Sequence, residues 1–319
     1  IAWEKEIDVR ADLATEIKAL LFPTAPEIKP LTTTGASAPM LSPDSTRIAY
    51  AAGGERGGVY VLPMNAGPFP FRQDPRLIAK NTQAFDFTKA TFVWSADSKE
   101  LIARFADVNG TVTANLLLDA EKSDQELRDI SASLTATISG WQQDINTRAQ
   151  TQATIAPESV KSATVAATVA TSPSPVPTPF LTASPTPAPT LAPNSSEQTL
   201  INYNPTGLIF SPDEEKVLYK NKDSKYVVYD IKNKQEYALP EFKEFINISW
   251  YPDSNHLVIA EKNQVSIMEA DGTNKMTVFT GKFEDGFVFA HPSGNRIIIL
   301  TTLTQTEGTP ANLYAINLR

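Results

Sequence analysis

The chain has 319 residues, 41% hydrophobic and 20% charged, enough apolar material for one large domain or two medium ones and too much for a wholly disordered chain. Twenty-eight Lys and Arg against 36 Asp and Glu leave a net charge of −8, so there is no overall basic surface to displace counterions from a nucleic acid or to hold anionic lipid. No Cys and only two His, His256 and His291, exclude disulfides, thiolate nucleophiles and zinc fingers.

The chain opens at Ile1 without a signal-peptide pattern, and no run reaches the roughly 18 consecutive apolar residues of a membrane span. The expectation is a trimmed ectodomain whose membrane anchor lies upstream of Ile1. Pro26 to Thr33 reads as a short strand, placed just before the first of five related motifs.

The first motif is Leu41-Ser42-Pro43-Asp44-Ser45 leading to Ile48-Ala49-Tyr50, and the second is Trp94-Ser95-Ala96-Asp97-Ser98 leading to Leu101-Ile102-Ala103. Phe210-Ser211-Pro212-Asp213-Glu214, Trp250-Tyr251-Pro252-Asp253-Ser254 and Ala290-His291-Pro292-Ser293-Gly294 repeat it before Val217, Leu257 and Ile297. In every copy an apolar residue is followed seven positions later by an apolar run, so all five share one register. Pro sets φ for a turn and Asp or Ser bonds its own backbone, which makes each copy a hairpin. Asp44, Asp97, Asp213 and Asp253 are therefore turn residues rather than catalytic carboxylates, as are Pro43, Pro212, Pro252, Pro292 and Gly294. Gly53-Gly54-Glu55-Arg56-Gly57-Gly58, between two strands of the first unit, lacks the Lys-Ser/Thr ending of a nucleotide loop and reads as a long hairpin turn.

Between the second and third copies the pattern breaks. Residues 133–150 place Leu134, Ile138, Trp141 and Ile145 at helical spacing. Residues 151–199 follow, with eight Pro between Thr171 and Pro193 among Thr, Ser and Ala, and read as a disordered, extended tether. Asn194-Ser195-Ser196 within it fits an N-glycosylation acceptor. Both insertions are expected to emerge together on one rim.

Phe210, Trp250 and Ala290 lie 40 residues apart, the length of a four-stranded propeller blade. Units running from about Ala38 to Asn81, Thr91 to Ser131, Thr206 to Pro240, Ile246 to Thr280 and Phe287 to the C-terminus make five. The last lacks one strand, which the segment from Pro26 to Thr33 supplies, sealing the ring and its open edges. The fold class is all-β: a five-bladed β-propeller over 23–319 with an inserted helix, or six blades if the helical segment stands for a degenerate sixth.

The five motifs resemble the Ser-Pro-Asp-Gly repeats of TolB-like and WD-repeat-like propellers. Only Gly294 keeps the Gly, with Ser45, Ser98, Glu214 and Ser254 in its place elsewhere, and Ala96 replaces the Pro in the second copy. These departures are expected to weaken individual turns. Residues 1–22 resemble the last strand and exit of a PEGA-type β-domain of prokaryotic surface proteins, which implies that Trp3, Ile7 and Val9 lie on its packed side. Together the resemblances imply a membrane-anchored protein at the extracytoplasmic face of the cell envelope.

No Gly-x-Ser-x-Gly elbow of a propeller-bearing peptidase is present. Ser42-Pro43-Asp44-Ser45-Thr46 lacks the Gly and Trp of a sialidase turn, and His256 and His291 read as turn or surface residues. The functional expectation is a non-enzymatic, cofactor-free and metal-free binding or scaffolding module, a monomeric ring presenting one face to a protein or glycan partner. The alternatives are a glycan- or peptide-acting enzyme with its site at the central channel, or a purely structural spacer. Trp141, Arg148 and Arg56 are the candidate interaction residues, Trp141 having packing against the ring as its other use.

Overall fold

The computed structural model describes residues 20–23, 25–64, 74–155, 200–284, 286–303 and 308–318. The PEGA-like resemblance through Trp3, Ile7 and Val9 lies outside these, as does the Pro-rich tract from residue 156 to 199. The chain lays down β1 (Glu27–Pro30) and then sheet one, β2 (Ser37–Leu41), β3 (Arg47–Ala52), β4 (Gly58–Pro63) and β5 (Arg76–Lys80). Sheet two holds β6 (Thr91–Trp94), β7 (Glu100–Ala106), β8 (Val112–Asp119) and β9 (Arg128–Asp129), and is followed by helix α1 (Leu134–Ile155). Sheet three is β10 (Ile209–Phe210), β11 (Lys216–Lys220), β12 (Tyr226–Asp230) and β13 (Gln235–Ala238). Sheet four is β14 (Phe245–Trp250), β15 (His256–Glu261), β16 (Gln264–Glu269) and β17 (Met276–Thr280). Sheet five takes β18 (Val288–Ala290), β19 (Arg296–Thr301) and β20 (Asn312–Asn317) from the C-terminus and β1 from the other end of the chain.

These are five antiparallel four-stranded sheets among the described residues, an arrangement compatible with a β-propeller. β1 pairs β20 in the register Glu27↔Asn317 to Pro30↔Tyr314. A buried polar lock continues the seam: the Thr32 hydroxyl and the Gly35 amide both donate to Asn312 Oδ1 at 3.0 Å, and the Leu313 amide donates to Thr32 Oγ1 at 2.9 Å. An unpaired Asn here would cost more than its bonds contribute, so the two chain ends must meet for either to be satisfied.

The middle strands explain how neighbouring sheets stack. β19, Arg-Ile-Ile-Ile-Leu-Thr, is buried from Ile297 to Thr301, and its period of two sends alternate side chains to opposite neighbours. Ile297 and Ile299 pack on Val258 and Ile267 of sheet four, while Ile298 and Leu300 pack on Ile48 and Tyr50 of sheet one. β3 divides likewise, with Ala49 and Ala51 turned to Leu101 and Ala103 of sheet two. Sheets three and four meet through Leu218, Val228, Leu257 and Ile259.

The second faces of sheets two and three meet α1. Val93 and Ile102 of sheet two pack with Ile145, and Val217, Tyr219 and Val227 of sheet three pack with Ala153. The helix therefore lies against both sheet two and sheet three, in the seam between them, with most of its surface exposed. The reason is that both sheet faces carry apolar residues that water would otherwise reach. α1 also runs to Ile155, five residues beyond the expected 133–150, so the start of the segment assigned to the tether is helical.

Candidate interaction face

Each motif builds the same turn. The amides of Ser45, Ser98, Glu214, Ser254 and Gly294 donate to the carbonyls of Ser42, Ser95, Ser211, Tyr251 and His291 at 2.8–3.1 Å. The donating residue sits at φ 59–64° in all five, the left-handed region where Gly is at ease and Ser or Glu is strained. Two of the serines gain a compensating contact. The Asp44 amide donates to Ser98 Oγ and the Asp213 amide to Ser254 Oγ, both at 3.1 Å, linking turns of neighbouring sheets. At Ser98 and Ser254, though not at Ser45, the loss of backbone ease is thus offset by a bond across the seam.

The carboxylates are consumed locally. Asp44 accepts from Ser42 Oγ at 2.6 Å and from the amide and hydroxyl of Thr46. Asp97 accepts from Ser95 Oγ at 2.7 Å, and Asp213 from Ser211 Oγ at 2.6 Å. Asp253 bonds His256 Nδ1 at 2.7 Å in place of a Ser. Burial pushes these four carboxyls upward, but the hydrogen bonds outweigh it and hold all four below the usual range.

His291 occupies the Ser position of the fifth turn. Its Nδ1 takes the Ser293 amide at 3.1 Å and lies 2.7 Å from Ser293 Oγ, so the ring stands in for the Ser hydroxyl. Burial, then the charge of Arg296, lowers its pKa to about 4, which keeps the imidazole neutral and able to accept. Two further seam bonds carry no sequence signal: the indoles of Trp94 and Trp250 donate to the carbonyls of Met40 at 3.2 Å and Ile209 at 2.8 Å, each in the preceding sheet.

The three candidate interaction residues do not converge. Trp141 is half-buried among Ile130, Ile145 and Ile201, and packs α1 onto sheet two. Arg148, about two turns on, lines a cleft of about 530 Å³ with Asp144, Gln152, Tyr203, Pro43 and Asp97. Arg56, in the Gly-rich loop, lines a separate cleft of about 570 Å³ with Glu55, Tyr60, Lys80, Asn81 and Asp124. Among the described residues no hydrogen bond or ion pair engages the guanidinium of Arg56 or Arg148. Also among the described residues, no three His, Asp or Glu side chains gather as a metal ion would need, and no helix is long and apolar enough to cross a membrane.

No protein-family profile matches the chain, and no curated protein does. Among solved structures it is similar to a putative TolB from Agrobacterium tumefaciens at 13% identity, covering 88% of this chain and 78% of that one with a TM-score of 0.28. TolB from Acinetobacter baumannii matches at 11% identity over 91% of this chain and 54% of its own, with a TM-score of 0.24. An oligogalacturonate lyase from Vibrio parahaemolyticus matches at 10% identity over 90% and 79%, with a TM-score of 0.33. At these values the likenesses assign neither a family nor an activity.

Proposed function

We propose that this chain is a five-bladed β-propeller with α1 in the seam between its second and third blades, acting as a non-catalytic binding module at the extracytoplasmic face of the cell envelope. The division of labour among charged side chains carries this. The motif carboxylates are spent on their own turns, whereas among the described residues Arg56 and Arg148 stand unpaired, each at an open cleft, one built largely from loops and the other from α1 and the motif turns beside it. Loops on a rigid scaffold are where recognition is placed, and a free guanidinium suits the carboxylates of a protein partner. In this arrangement the opening segment belongs to a preceding PEGA-like domain that gives way to the ring by Leu20 and Phe22, which pack on the cluster of sheets four and five, an upstream segment anchors the protein, and 156–199 tethers the two parts of a monomeric ring.

The test is capture of envelope proteins and, separately, envelope glycans by the purified chain and by its Arg56→Glu and Arg148→Glu variants. A protein enriched by the parent chain and lost with either variant supports the proposal. No enrichment from the protein pool, or turnover of a glycan or peptide by the parent chain, overturns it.

A further inference from the structure

We infer that the cleft between α1 and the second motif turn binds an extended peptide bearing one basic and one acidic side chain two residues apart; this rests on the chain being a binding module. Asp144 and Arg148 both line the cleft, are exposed, and sit one helical turn apart, which separates their Cβ atoms by about 6 Å. An acid four residues before a base on a helix is the favourable order for an ion pair, yet among the described residues neither side chain is paired, with the other or with anything else. The cleft therefore offers one free anion and one free cation at a fixed spacing.

The walls favour a chain over a small ion. Pro43, Ala96, Ala149 and Tyr203 are small or apolar, and the Tyr203 hydroxyl is committed to the Trp94 carbonyl at 2.6 Å, leaving its ring to the cleft. Ala96 stands where the other four motifs have Pro, so this copy presents a smaller side chain to the cleft, beside Pro43 of the first motif. In an extended peptide, residues i and i+2 point to the same side about 6.6 Å apart, which matches the helical spacing of Asp144 and Arg148. A doubly acidic segment would face Asp144 and the −8 charge of the chain, and a doubly basic one would face Arg148.

Blocked Thr-rich nonapeptides with Lys-x-Glu, Lys-x-Lys or Glu-x-Glu at the centre are the probes, with affinity read for the parent chain, Arg148→Glu, Asp144→Lys and the remote exposed control Arg128→Glu. Thermal melts check that each variant is folded. The parent and the control are expected to prefer Lys-x-Glu by about threefold to tenfold, the range that exposed ion pairs support. Arg148→Glu should move that preference to Lys-x-Lys, and Asp144→Lys to Glu-x-Glu. The same ranking in all four proteins, no discrimination by the parent, or equal loss of all three peptides by a folded variant overturns the inference. An envelope protein captured equally by the parent and Arg148→Glu but lost with Arg56→Glu would overturn it too, while leaving the binding module standing.

Discussion

Replacing His291 with the Ser that three other motifs carry tests how the fifth turn is held. In the folded chain its pKa falls from 6.5 to about 4. A depressed folded-state pKa means that the unfolded chain takes up a proton first as pH drops. The contribution is therefore whole above pH 6.5 and is lost progressively between 6.5 and 4. Over pH 7 to 4.5 the full shift is worth about 2 kcal/mol, and solvent reaching the turn reduces this to about 1–2 kcal/mol. Protonation also turns Nδ1 from an acceptor into a donor facing the Ser293 amide, so the charge and the lost bond act in the same direction. Urea unfolding of the parent and of His291→Ser at pH 7 and pH 4.5 gives the four stabilities needed. The motif carboxylates titrate lower, and they are present in both proteins, so their effect cancels. The parent should lose about 1–2 kcal/mol more than the variant. An equal loss, or a larger one in the variant, would refute the neutral, accepting imidazole.

Ser45 and Ser98 share a left-handed φ, but of the two only Ser98 bridges to a preceding sheet, so the two Gly substitutions should separate. Ser45→Gly relieves strain and raises stability by up to about 1 kcal/mol, whereas Ser98→Gly gives up a bond of similar worth and falls below it; urea midpoints in the reverse order would contradict the bridge. In α1, Ile145→Ala should cost about 2–3 kcal/mol because its side chain fills the seam at 7% exposure, while the exposed Thr147→Ala should cost nothing. Equal midpoints for these two variants would mean that the helix does not seal the seam.

The sheets were legible because a repeat fixes register: seven residues from each apolar anchor to the next apolar run set where every hairpin turns. The end-to-end pairing followed from counting strands, since the last unit is one short and Pro26 to Thr33 has no other place. The position of α1 was not legible. Leu134, Ile138, Trp141 and Ile145 define an apolar stripe, but a stripe does not say which surface covers it, and only the unpaired faces of sheets two and three do. The seam bonds of Ser98, Ser254, Trp94 and Trp250 were hidden for a similar reason. Each joins residues 41 to 54 positions apart, and a residue that departs from the repeat looks like a weakened turn until its neighbour in space is known. Of the site, the sequence singled out Arg148 and Arg56 but not their setting. Pro43, Asp97 and Tyr203 come to Arg148 from three separate parts of the chain.

A ring closed by its two ends is most directly tested by a disulfide across the closing pair, in a chain with no Cys of its own. Ile28 and Ile316 are register partners on one buried cluster, so Ile28→Cys with Ile316→Cys should oxidise without rearrangement. The loop enclosed spans nearly the whole chain, which sets a chain-entropy ceiling of about 5 kcal/mol of stabilisation. Thermal melts of the oxidised and reduced forms, with intact mass to count the bond, give the answer. Complete intramolecular oxidation and a melting temperature several degrees above the reduced form are predicted; thiols that stay free or bridge separate molecules, or an oxidised form that melts lower, would contradict the closure.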